Sequence, residues 1–136
     1  MKAEVYMVKG ISFVGKADSN HWVPMDGPPE FGGAEAGSRP LELLLIGLAG
    51  CTGMDVVSIL AKKRLPLREF RVDAEATRAP EHPKVFTEIK ISYYFRGDGL
   101  EEKDVVQAIE LSQEKYCSAS AMLSRAANIS YDYKIE

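Results

Sequence analysis

Residues 2–8 place Ala3, Val5 and Met7 on one face of an alternating pattern, which predicts a strand. Residues 11–14 form a second strand candidate after a turn at Gly10, and residues 21–25 a third. Over residues 25–37, Gly27-Pro28-Pro29, Gly32-Gly33 and Gly37 interrupt regular structure and predict a mobile loop, long enough to suggest a functional role. A helix is expected from Arg39 or Pro40, with Ser38 as its cap, because a proline in the first turn sacrifices no hydrogen bond. Leu41, Leu43, Leu44, Leu45, Ile46 and Leu48 surround this helix on all sides, so it must be buried. Val56, Val57, Ile59 and Leu60 continue it; Lys62-Lys63-Arg64 suit its negative end, and Pro66 stops it. Gly47, Gly50 and Gly53 fall inside, each costing about 1 kcal/mol against alanine. Close approach of a second backbone is the expected compensation.

Two long strands follow. Phe70, Val72, Ala74 and Ala76 alternate with charged residues. After a turn at residues 80–83, Val85, Thr87, Ile89, Ile91, Tyr93 and Phe95 share one face. A helix is predicted over residues 101–116 with Val105, Ile109 and Tyr116 inward, then a short helix over residues 118–127 and a last strand carrying Ile129, Tyr131, Tyr133 and Ile135. Strands grouped around one long helix give an α+β fold with antiparallel sheets. One such sheet covers one side of a helix that is apolar all round. A second copy would cover the other, so a homodimer with two central helices between sheets is expected.

The 136 residues suit one domain over residues 1–136, and 46% hydrophobic with 27% charged residues excludes disordered and low-complexity classes. A net charge of −3 argues against a nucleic-acid partner, which would call for a basic stripe. The uncharged run over residues 43–54 is shorter than the roughly 20 residues of a membrane span, so no membrane partner is expected. Residues 1–9 mix charged and apolar positions, unlike a secretory signal, and two cysteines are too few for a disulfide scaffold. A cytoplasmic, reducing location is the resulting expectation.

Cys51 and Cys117 are the most suggestive residues. Cys51 lies mid-helix among small residues, and Cys117 lies where a new helix begins, a position that lowers a thiol pKa. They could be a redox pair or two packed thiols, since spacing does not show proximity. Asp55 lies one turn from Cys51 and would raise its pKa unless a cation intervenes. Glu42 is the acid of the apolar half of the helix and needs a partner, which Arg39 or an arginine of a second subunit could supply. Its other reading is compensation of the helix dipole. His21 and His82 are isolated, and no spacing resembles a zinc site, so no metal or cofactor is expected. The glycine-rich residues 32–37 lack the Lys-Ser/Thr of a phosphate loop and read as plain loop.

Two segments carry a resemblance. Ser38-Arg39-Pro40-Leu41-Glu42-Leu43-Leu44-Leu45, running on to Gly50-Cys51-Thr52, resembles the first-cysteine helix of the OsmC/Ohr family. Glu114-Lys115-Tyr116-Cys117-Ser118 resembles its second-cysteine motif. Residues 55–60 and 85–89 are similar to the YhfA-like branch, and the likeness spans essentially the whole chain. The resemblance implies an OsmC-like fold, an intertwined homodimer whose two long central helices are wrapped by antiparallel sheets. It also implies thiol-dependent reduction of organic hydroperoxides without metal, haem or flavin. Carried over, Cys51 is the peroxidatic cysteine and Cys117 the resolving one. Their disulfide would be recycled by an external dithiol reductant, and Arg39 and Glu42 would belong to the catalytic set. The sequence departs from the family where Leu41, not an acid, follows Pro40. Glu42, one place later, is turned by about 100°. No arginine precedes Arg39, and Lys16, which could stand in, lacks the bidentate fork. A thiol-disulfide or persulfide-handling protein, or a non-catalytic dimer binding an apolar ligand, are the alternatives on the same fold.

Overall fold

A computed structural model describes all of residues 1–136. The chain forms two compact units, residues 1–44 and residues 45–136.

In the first unit, β1 (Ala3–Lys9), β2 (Ser12–Ala17) and β3 (Val23–Met25) make an antiparallel sheet in that order. Gly10 takes a φ of +58° at the β1–β2 turn, where a side chain would be strained. The alternation of β1 predicts one buried face, yet the whole strand is exposed in the single chain. The segment after β3 also departs from its prediction as a mobile loop. It contains a short 3₁₀ turn (Pro29–Phe31) and is tied together by one carboxylate. Asp26 accepts hydrogen bonds from the Ser12 hydroxyl at 2.7 Å and from the backbone N–H groups of Gly27, Ala34 and Ala36. These donors, the Ser12 hydroxyl first, hold its pKa down at about 2.

The helix α1 (Pro40–Lys62) begins where the sequence suggests. Its first turn is served by Glu42, whose carboxylate accepts the Arg39 backbone N–H at 3.0 Å, where the sequence suggests Ser38. Across its 23 residues α1 is long and apolar enough to cross a bilayer, which its uncharged run alone is not. Within the second unit its buried positions are Leu48, Thr52, Gly53, Val56 and Leu60. Burying each of the three aliphatic side chains contributes about 2 kcal/mol.

The second sheet has the order β4 (Glu69–Arg78), β5 (Phe86–Arg96), β6 (Asn128–Ile135). β4 and β5 are antiparallel as expected. β6 runs parallel to β5, because the chain between them crosses over through α2 (Glu102–Leu111), a π turn (Ser112–Tyr116) and α3 (Ser118–Leu123). A register shift at Thr77 and Arg78 pairs Arg78 with Phe86, so Phe86 is buried while Val85 and Thr87 turn outward, reversing the expected face at that end. Ile89, Ile91, Tyr93 and Phe95 form the core face as the pattern indicates. Tyr116 is exposed, not inward, since the π turn replaces the last turn of the expected helix.

Replacing Asp26 by asparagine should destabilise the protein at neutral pH. The native carboxyl titrates near 2 instead of its ordinary 3.8, so its contribution is complete above the ordinary value and lost as pH falls toward the native one. Acid-denaturation curves of wild type and Asp26→Asn should therefore converge across that interval. A constant gap would contradict the assignment.

Candidate functional site

The second unit brings the two cysteines together. Cys51 is half-buried on α1, one residue before the fully buried Thr52, and Cys117 is buried between the π turn and α3. Both sulfurs and a carboxylate oxygen of Asp55 lie within 4.8 Å of one another. Both thiols are free. One helical turn separates Cys51 from Asp55, which places them on the same side of α1.

The π turn delivers the third member. Its extra residue lets the Cys117 N–H reach back to the Ser112 carbonyl at 2.7 Å. Cys117 then caps α3, and its sulfur accepts the Ser120 N–H at 3.3 Å. The helix-start position predicts a lowered thiol pKa, but burial outweighs it and pushes Cys117 up. The Ser120 hydroxyl and N–H pull in the other direction, and Cys51 adds a smaller upward push. The Ser120 hydroxyl is itself buried, with the Cys117 sulfur as the group it serves.

Beneath the sulfurs lies a buried polar chain. The Thr52 hydroxyl meets the Tyr93 hydroxyl at 2.7 Å and the Ser112 hydroxyl at 2.8 Å. Ser112 donates to Asp55 Oδ2 at 3.0 Å. The Gln113 side-chain amide donates to both Thr52 Oγ1 and the Tyr93 oxygen, at 3.1 and 2.8 Å. Burial pushes the Tyr93 phenol up, and the Thr52 and Gln113 hydrogen bonds offset it in part. A groove of about 380 Å³ opens on Asp55 from solvent, lined by Ser58, Ile59, Lys62, Lys63, Leu111 and Tyr116.

Arg39 and Glu42 do not form the side-chain pair that the sequence suggests. The Arg39 guanidinium makes a bidentate pair with Glu35, at 2.6 and 3.1 Å. Glu42 is exposed and serves the backbone of its own first turn, which is the dipole reading. Cys51, Cys117 and Asp55 together offer three ligand atoms, one fewer than a tetrahedral metal site needs. Thr52, Tyr93, Ser112 and Gln113 escape sequence reasoning. Tyr93 reads as core, Thr52 enters only as the neighbour of Cys51 in the family resemblance, and Ser112 and Gln113 are not singled out within the helix expected over residues 101–116. A hydroxyl at a buried helix position was the available signal.

With this geometry in place, the relatives are informative. The family model described as OsmC-like protein matches residues 32–132. Protein YhfA of Escherichia coli K12 is 36% identical over 135 residues, covering 99% of this chain and 98% of its own. The chain belongs to the OsmC-like family. A crystal structure from Aquifex aeolicus VF5 is 32% identical with a TM-score of 0.87, over 99% of this chain and 95% of that one. An organic hydroperoxide resistance protein from Elizabethkingia anophelis shares the fold at 15% identity and a TM-score of 0.71, over 98% and 94%.

Thr52→Val should lower stability by about 2 kcal/mol in urea denaturation, because Tyr93 and Gln113 lose a buried partner that no water replaces. An unchanged midpoint would show that the chain of hydroxyls contributes nothing to folding.

Proposed function

We propose that this protein is a cysteine-based peroxidase that reduces organic hydroperoxides and is recycled by a dithiol. The observation that carries the reading is the arrangement of two free sulfurs within 4.8 Å, one half-exposed and one buried. The accessible Cys51 attacks the terminal peroxide oxygen as its thiolate. The O–O bond breaks, the alkoxide leaves and is protonated to an alcohol, and Cys51 becomes a sulfenic acid. Cys117 then displaces the hydroxyl, releasing water and forming the Cys51–Cys117 disulfide. A dithiol returns both to thiols by exchange. The reading includes a reducing, cytoplasmic location, where a dithiol is available for recycling.

The same reading includes a homodimer. Ile46 and Met54 of α1 are 59% and 76% exposed, and a Cβ added at Gly47 or Gly50 would meet nothing within 4 Å. The compensation expected for those glycines is thus not found within the chain, and a second α1 would supply it. A second functional reading, disulfide exchange without peroxide turnover, is favoured by Asp55. It sets a negative charge beside Cys51, where a cation would assist ionisation.

Consumption of an organic hydroperoxide with a dithiol should vanish in Cys51→Ser. Cys117→Ser should turn over poorly and carry sulfinic Cys51 by mass spectrometry. Full turnover by Cys51→Ser would reject the peroxidase. A reversible disulfide without peroxide turnover would select the second reading. Sedimentation at micromolar concentration should give twice the 15.0 kDa chain mass, and Met54→Asp should reduce it to one.

A further inference from the structure

The hydroxyl chain has a fixed direction. A carboxylate only accepts, so the Ser112 proton points to Asp55 Oδ2. The Ser112 oxygen must then accept from Thr52, whose oxygen accepts from Tyr93 and Gln113. Gln113 also donates to the Tyr93 oxygen, leaving the phenol proton for Thr52. Every hydroxyl proton of the buried chain therefore points towards Asp55. The chain holds Oδ2 of that carboxylate, and a carboxylate oxygen of Asp55 lies within 4.8 Å of both sulfurs. Because Ser112 and Cys117 are joined by one π turn, the structural device that brings Cys117 to Cys51 also tethers Asp55 beside them.

We infer that Asp55 is the general base through which Cys117 closes the disulfide. The inference rests on the two-thiol chemistry proposed above, and not on the peroxide as oxidant. As the Cys117 sulfur attacks the sulfenic sulfur of Cys51, its S–H bond breaks and the proton passes to Asp55. The new S–S bond forms while the Cys51 S–O bond breaks, and the hydroxyl leaves with the bonding pair. Asp55 returns the proton to that oxygen, which departs as water. No further oxidant or reductant takes part.

Three observations support this role. Cys117 is 2% exposed and its thiol is pushed up by burial, so it is protonated at neutral pH and needs a base. The buried Ser120 hydroxyl, which already pulls the Cys117 pKa down, stands beside that sulfur to donate to the thiolate as it forms. Other titratable groups around the site are poorly suited. Tyr93 from β5 is pushed up by burial and commits its proton to Thr52; Tyr131 from β6 is likewise raised, with Glu110 and Glu114 adding to the effect. From α1, Lys62 and Lys63 line the groove as cations; Lys63 is paired with Asp104 of α2, and Lys115 lies over the Tyr116 ring.

The test compares wild type with Asp55→Asn, which keeps the acceptor for Ser112 and so preserves the tether. Two oxidants are used on the reduced protein. With one equivalent of tert-butyl hydroperoxide, Asp55→Asn should close the disulfide about 100-fold more slowly at neutral pH, and Cys51 sulfenic acid should accumulate for capture by dimedone. With Ellman's reagent, the first aromatic thiolate reports attack by Cys51, and the second reports attack by Cys117 on the mixed disulfide. Release of the second should be slowed in Asp55→Asn, with a rate that rises about tenfold per pH unit as the bare thiol ionises. In wild type it should be flat across neutral pH, and Asp55→Glu should restore part of that flatness. A general loss of packing would not change the pH profile in this way. Equal rates and profiles for the second release in wild type and Asp55→Asn would overturn the inference, as would a wild type that never forms the Cys51–Cys117 disulfide with either oxidant. Slowing with Ellman's reagent but no reaction with the hydroperoxide would leave Asp55 as the base and discard the peroxidase reading.

Discussion

Thr52 holds three hydrogen bonds on one oxygen in a fully buried position, and the second unit depends on that junction. A buried hydroxyl without partners would cost a few kcal/mol; one whose partners come from β5 and the π turn fixes how those elements meet α1. The junction also fixes the rotation of α1 about its own axis. With Thr52 facing the core, its neighbour Cys51 is held about 100° round the helix and Asp55, one turn beyond Cys51, on the same side. The site is therefore a consequence of helix orientation, and the orientation is set by polar contacts as much as by Leu48, Val56 and Leu60. Apolar side chains alone would tolerate a small rotation of α1; a chain of directed hydrogen bonds does not.

The other side of α1 obeys a different constraint. Ile46, Met54 and Val57 leave apolar surface of α1 exposed, and the homodimer reading would cover it. The glycines sharpen the point. Gly53 faces Val72 and Phe70 of β4, where an added Cβ would make ordinary contact at 3.5 and 3.6 Å. A Cβ at Gly47 or Gly50 would meet nothing inside the chain, and the homodimer reading gives their cost in helix propensity a reason, a second backbone alongside. The exposed β1 strand makes the same demand from the first unit. Two independent surfaces thus ask for cover, which is the physical content of the homodimer reading.

How much of this the sequence discloses depends on the kind of interaction involved. Elements were legible because periodicity is local: α1 begins at Pro40 and ends at Lys62, and the core face of β5 from Ile89 to Phe95 follows alternation. The departures all come from non-local or one-residue effects. A single extra residue opposite Thr77 reverses the face of Phe86 and Thr87, and a single extra residue in the π turn expels Tyr116. The parallel pairing of β6 follows from the crossover it closes, which strand pattern does not encode. In the site, the cysteines were visible by type, but their proximity was not, because 66 positions of chain separate Cys51 from Cys117. Asp26 illustrates the reverse error. An acid in a Gly/Pro-rich segment looks like solvent-exposed loop, yet it anchors the loop through four donors.

The electrostatics of the cluster divide the chemistry between its two sulfurs. Cys51 is the accessible sulfur and makes the first attack, while Asp55 enters the proposed chemistry at the second step. What Asp55 can offer Cys117, whose burial holds it as a thiol, is an acceptor for its proton during the attack, not stabilisation of a free thiolate. On the proposed chemistry Asp55 thus acts in closing the disulfide and not in cleaving the peroxide. The centre's distinguishing property would lie in how fast an oxidised Cys51 is captured, before a second oxidant molecule reaches it. The burial of Cys117 fits that role. A resolving thiol held out of solvent within 4.8 Å of its target has no competing reactions of its own and needs a base only at the moment it is used.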